Sequence, residues 1–164
     1  MADSHKRSPK TLIEAAGGIA VLVGLIFVGL ELRQNTEAVQ SATLQSMIDS
    51  SQEYLLLLAS DPELNRIYRQ GVADPDGLNE ADASQFFFLL RAQWLRFQNA
   101  FLQWQKGTMS DEDWVFYENF LCARSASTTG GVRKVTWTDH RPALTNQFVE
   151  FVEACWSDGS GSDN

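Results

Sequence analysis

The sequence predicts an all-α protein: a single N-terminal transmembrane helix continuing into a small bundle of about four to five helices. Three observations lead there. An uncharged apolar run, Ala15 to Leu30, follows a basic tail, His5-Lys6-Arg7-Ser8-Pro9-Lys10. Apolar residues then recur at helical spacing in segments bounded by Asp-Pro, Asn, Ser and Gly signals. No segment has an evident strand partner.

The apolar run spans roughly 24 Å at ~1.5 Å per residue, short of the ~30 Å hydrocarbon core of a bilayer. Leu12 and Ile13 extend it upstream and Leu32 downstream, and Thr11 to Leu32 reaches roughly 33 Å. Glu14 and Glu31 then fall at the two interfaces, with Lys10 one turn before Glu14 and able to pair with it. Ser8 suits the cap and Pro9 the first helical position, where a missing N–H costs nothing. A retained anchor competes with two other readings. A cleaved signal peptide would need an A-x-A-like site, and the chain instead reads Val28-Gly29-Leu30-Glu31-Leu32-Arg33. A buried helix of a soluble protein would show a polar stripe, and this run is apolar all round. The anchor is favoured. Lys6, Arg7 and Lys10 precede the span and only Arg33 follows closely, so the positive-inside rule puts the amino terminus in the cytoplasm. The expectation is therefore an inner (plasma) membrane protein, single-pass, with an extracytoplasmic helical domain. The domain layout is a basic tail over 1–10, the span over 11–32, the helical domain over 33–156 and a disordered Gly/Ser/Asp tail over 157–164.

Acidic residues outnumber basic ones, 21 to 13, for a formal charge of −8. That balance excludes nucleic acid as a partner and suits a solubilised surface. Aromatic residues make up 11% and are clustered, which argues for a packed core. Cys122 and Cys155 can bond in an oxidising compartment or stand as two buried thiols, and spacing alone does not choose; buried thiols are the commoner arrangement.

No Gly or Pro falls between Leu30 and Pro62, so the span is expected to run on as helix to Ser60, anchor and domain forming one piece. Arg33 to Ser41 is polar, and the distal half is amphipathic through Leu44, Met47, Ile48, Tyr54, Leu55 and Leu58. Asp61-Pro62 starts a short helix expected to stop at Gly71, and Asp74-Pro75-Asp76-Gly77 is a turn. Asn79 caps a long helix from Glu80 to about Lys106, stopped by Gly107, with Phe86, Leu90, Trp94, Phe97, Phe101 and Trp104 as its stripe. Ser110 and Asp113 form a variant capping box, with Trp114, Tyr117 and Leu121 facing inward. The segment from Ser125 ends at Gly130-Gly131, Val132 to Thr138 is helical or irregular, and Pro142 to Trp156 is the last helix.

Four stretches carry a resemblance over about residues 13–153: Gly18-Ile19-Ala20-Val21 through Gly29-Leu30-Glu31-Leu32-Arg33-Gln34-Asn35-Thr36; Asp61-Pro62-Glu63-Leu64 with Gly71-Val72-Ala73-Asp74; Asn99-Ala100-Phe101 through Gly107 to Trp114; and Arg141-Pro142 with Phe148-Val149-Glu150-Phe151-Val152. In these the chain resembles a widespread group of bacterial proteins with one N-terminal transmembrane helix and a small all-helical domain of unknown function. The group often has paired aromatics after the glycine turn, where this chain has Trp137 alone. The resemblance implies membrane location and an all-α domain, and it implies no activity.

Chemistry is sparse. His140 is the only histidine beyond the tail, beside Asp139, with nothing to set Cys122 or Ser125 near it; it reads as an exposed polar residue. Asp111-Glu112-Asp113 reads as charge at a helix start rather than a metal cluster, since consecutive side chains splay apart. No catalytic, cofactor or metal site is expected. Ala16, Ala20 and Gly24 recur every fourth residue and form a small-residue stripe suited to lateral packing of spans. Arg91 and Arg96, set among aromatics, are expected to pair with Glu118 or Glu53 or to stack on Trp94, and with Trp94 and Trp104 they form a candidate ligand pocket. The leading functional expectation is a non-enzymatic, membrane-anchored module, its partners the lipid bilayer, an unidentified protein and possible further copies of itself. The alternative is a tethered sensor or carrier of a small ligand.

Overall fold

A computed structural model describes residues 9–122 and 136–157, with side chains from Gly17 onward. Among these residues the protein is helical and has no strand. The helices are α1 (Pro9–Ser60), α2 (Pro62–Ala73), α3 (Glu80–Gln105), α4 (Asp111–Cys122), α5 (Trp137–His140) and α6 (Asn146–Ser157), with 3-10 turns at Pro75–Gly77 and Arg141–Ala143. The all-α fold class holds. The chain divides into two units, one ending at Val39 and the other beginning at Gln40.

The first unit is the amino-terminal part of α1, which is long and apolar enough to cross a membrane. Every large apolar side chain from Ile19 to Leu32 is at least 50% exposed. Arg33 bonds Glu37 one turn on, at 2.9 Å, where the polar stretch begins.

The second unit is organised around α3, whose Phe86, Leu89, Leu90, Trp94, Phe97, Ala100 and Phe101 are buried. The largest core cluster joins Met47 of α1, Trp94 to Phe101 of α3, Trp114, Tyr117 and Leu121 of α4, Trp137 of α5, and Phe148, Val149 and Val152 of α6. Phe101 lies 5.5 Å from Phe148 and 5.8 Å from Trp114, ring centre to ring centre. Two smaller clusters flank it: Ile67 with Phe86 and Leu90, and Tyr54 with Leu58 and Leu89.

Local chemistry sets the helix ends. Asp61 accepts from the backbone N–H of Glu63 and Leu64 at 2.9 and 3.1 Å, capping α2 behind Pro62. Asn79 accepts from the Asp82 N–H at 3.0 Å. Ser110 Oγ accepts from the Asp113 N–H at 3.1 Å and donates to its carboxylate at 2.6 Å, so the Ser–Asp capping pair forms as expected. Gly107 stops α3 in the left-handed region, at φ 73°.

Four expectations need correction. Gly71 does not end α2, which continues to Ala73; a Cβ at Gly71 would lie 2.6 Å from the Phe86 ring, so the glycine serves close packing of α2 on α3. In the distal half of α1 only Met47, Tyr54 and Leu58 are buried. Ile48 and Leu55 lie one residue further round, about 100° from that stripe, and remain exposed. Pro142 sits in a 3-10 turn and Leu144 is extended to bury its side chain, so the last helix starts only at Asn146. Trp104 is only partly buried, stacking on Trp114 at 5.0 Å and donating to Asp111 at 2.8 Å. The Ser125–Gly131 segment, most of the Val132–Thr138 stretch and nearly all of the 157–164 tail lie outside the described residues.

Candidate functional site

The two cysteines meet. Cys122, at the end of α4, is disulfide-bonded to Cys155 in the last turn of α6, with their Cα atoms 5.1 Å apart. The Trp156 indole donates to the Leu121 carbonyl at 3.0 Å beside the bond. The expectation of two buried thiols is thereby corrected. It failed because α4 and α6 pack through Trp114 and Phe151, at 5.5 Å, a contact that sequence spacing does not reveal. Cys122 consequently offers no thiol nucleophile.

His140 is also unlike the exposed residue expected: it is 1% exposed and stacks on Phe87 at 4.7 Å. Its carbonyl accepts from Arg91 at 2.8 Å, and its Nδ1 has no partner. Burial, and then the Arg91 guanidinium, push the imidazole down to about 4, with Asp139 opposing. Between its ordinary value near 6.5 and that lowered value the unfolded chain binds the extra proton. This contribution to stability is fully present above about pH 6.5 and is lost as the pH falls towards 4. The loss builds at about 1.4 kcal/mol per pH unit and reaches about 3 kcal/mol. Urea unfolding at pH 7.5 and 4.5 should show a His140→Gln variant less acid-sensitive than the parent by about 2 kcal/mol, most of the full loss.

The candidate pocket residues Arg91, Trp94, Arg96 and Trp104 are not gathered into one site. Arg91 lies over Phe87 at 5.3 Å and bonds His140. Trp94 is 1% exposed, in the core. Trp104 packs on α4. Arg96 turns to α1, bonding Ser51 Oγ and lying over the Tyr54 ring at 5.4 Å. Neither arginine takes up the expected Glu118 or Glu53. Positions 91 and 96 are five residues apart, about 140° round the helix, so the two cannot converge.

A groove that the sequence does not reveal lies at Arg96, between the distal half of α1 and α4. A cavity of about 290 Å³ is lined by Ser51, Tyr54, Leu55, Leu58, Tyr68, Gln93, Arg96, Phe97, Phe116, Tyr117 and Phe120. A second depression of about 370 Å³ shares Ser51, Leu55, Phe116 and Tyr117 and adds Leu44, Ile48, Gln52, Glu112 and Asp113. Leu55 and Phe116 are 63% and 71% exposed at the rim. The available signal was the surplus of apolar residues flanking the α1 stripe. The Tyr54 hydroxyl donates to the Leu89 carbonyl at 3.3 Å, and burial raises both Tyr54 and Tyr117, keeping their phenols neutral. Asp82, 8% exposed, accepts from Arg66 at 2.8 Å and Asn79 at 2.9 Å.

Of the small-residue stripe, Ala20 and Gly24 are exposed on α1, and a Cβ at Gly24 would meet nothing within 4 Å; the Ala16 side chain lies outside the described residues. The fold and groove together define a small all-helical domain carried on an apolar helix. No known protein family, curated protein or solved structure matches the chain.

Proposed function

We propose that this is a single-pass inner-membrane protein, its amino terminus cytoplasmic and its helical domain extracytoplasmic, working as a non-enzymatic interaction module. The observation that carries the reading is the bare apolar surface of α1 from Ile19 to Leu32, which water would not favour and a bilayer would. The Cys122–Cys155 bond supports an oxidising compartment for the domain, and the basic tail before the span supports the same orientation. The likeness to bacterial proteins with one span and a small helical domain belongs to the same reading. Lateral association is assigned to the stripe Ala16, Ala20 and Gly24, where small side chains allow a second copy of the helix to approach closely.

Crosslinking in native membranes tests this association. A dimer band is expected for the parent and a much weaker one for Gly24→Leu. No band, or one indifferent to the substitution, would mean that the stripe is ordinary lipid-facing surface. A second reading, a tethered receptor for a small ligand, is supported by the groove at Arg96.

A further inference from the structure

We infer that the groove at Arg96 binds an amphipathic monoanion, a carboxylate carried on a short apolar body; the inference rests on the receptor reading above. Arg96 lies on α3 among aromatic side chains, and among the described residues no carboxylate is within ion-pair distance of it. Its guanidinium carries five N–H donors, of which the Ser51 hydroxyl takes one. Its Nε is shut off from water and has no acceptor. A guanidinium that lines a cavity without a carboxylate partner gains most from an incoming acceptor, and a carboxylate is the acceptor that matches it in both charge and shape.

The surroundings set the rest of the ligand. Beside Arg96 the cavity wall is Leu55, Leu58, Tyr68, Phe116 and Phe120, with no acidic side chain. Its volume of about 290 Å³ suits a small molecule rather than a folded partner. The adjoining depression beyond Ser51 carries Glu112 and Asp113, which would repel a second negative charge. The chain's net charge of −8 acts in the same direction. One guanidinium, one apolar wall and acids next door select a single carboxylate with an alkyl or aryl tail. The shared feature, one negative charge joined to an apolar chain, is presented by a free carboxylic acid and also by the phosphodiester of an anionic lipid.

Isothermal titration of the full-length protein in zwitterionic-lipid nanodiscs with octanoate tests this, with empty nanodiscs as the blank and octan-1-ol and octylamine as uncharged and cationic counterparts. Octanoate should bind about tenfold or more tightly than either, and Arg96→Met should weaken it about 10- to 100-fold. Phe116→Ser alters a rim residue that is 71% exposed, so the fold should tolerate it, and it should weaken octanoate at least about fivefold. It decides the matter should Arg96→Met fail to fold. Nanodiscs doped with phosphatidylglycerol separate the sources: competition with octanoate assigns the groove to a lipid headgroup, and undiminished binding assigns it to a free acid. Equal binding of octanoate and octan-1-ol, both lost in Phe116→Ser, would overturn the monoanion inference and leave the receptor reading standing. No binding above the blank by any probe would overturn both.

Discussion

Replacing Cys122 or Cys155 by serine should lower the unfolding free energy of the helical domain by about 3–4 kcal/mol. The bond joins residues 33 apart in sequence, and closing a loop of that length removes about this much freedom from the unfolded chain. It also holds the end of α4 to the end of α6 at the edge of the main core. Denaturant unfolding with and without reductant provides the check. Reductant should lower the parent's midpoint to that of the serine variants and leave the variants unchanged. A parent indifferent to reductant would mean the bond does not form, and an important support for the oxidising compartment would go with it.

Trp94→Ala should cost about 3–5 kcal/mol, the largest loss expected from any single truncation in the domain. Trp94 is 1% exposed and its ring lies within 6.4 Å of Phe97, Trp137, Phe148 and Trp156, so α3, α5 and α6 all lose contacts at once. Trp94→Phe should be much milder, about 1.5 kcal/mol or less. The indole Nε1 is buried without a partner, and removing an unmet donor offsets part of the lost volume. Thermal or urea unfolding of the two variants side by side measures the difference. Equal losses would contradict the packing of the Trp94 ring as the source of the stabilisation.

Helix existence was legible in the sequence because it rests on local chemistry. Asp61-Pro62, Asn79, Ser110 with Asp113, and Gly107 each act within a few residues, and each forms as read. What the sequence concealed was tertiary. Gly71 looks like a stop until Phe86 is seen against it. His140 looks exposed until Phe87 stacks on it. Leu55 looks like core because helical spacing does not fix how wide the covered face is. The candidate site failed for the same reason: Arg91 and Arg96 share an aromatic neighbourhood in sequence, and five residues of helix turn them to different neighbours. The groove that Arg96 does line depends on where α4 returns past α1, a placement set by packing of the whole core.

The central claim is an apolar anchor with the helical domain on the far side of the membrane. An alkaline-phosphatase reporter, active only outside the cytoplasm, fused after Ser157 tests it most directly. The account predicts strong phosphatase activity from this fusion and none from the same reporter placed before Pro9. Activity absent after Ser157, with a fluorescent reporter at that position bright in the cytoplasm, would contradict it.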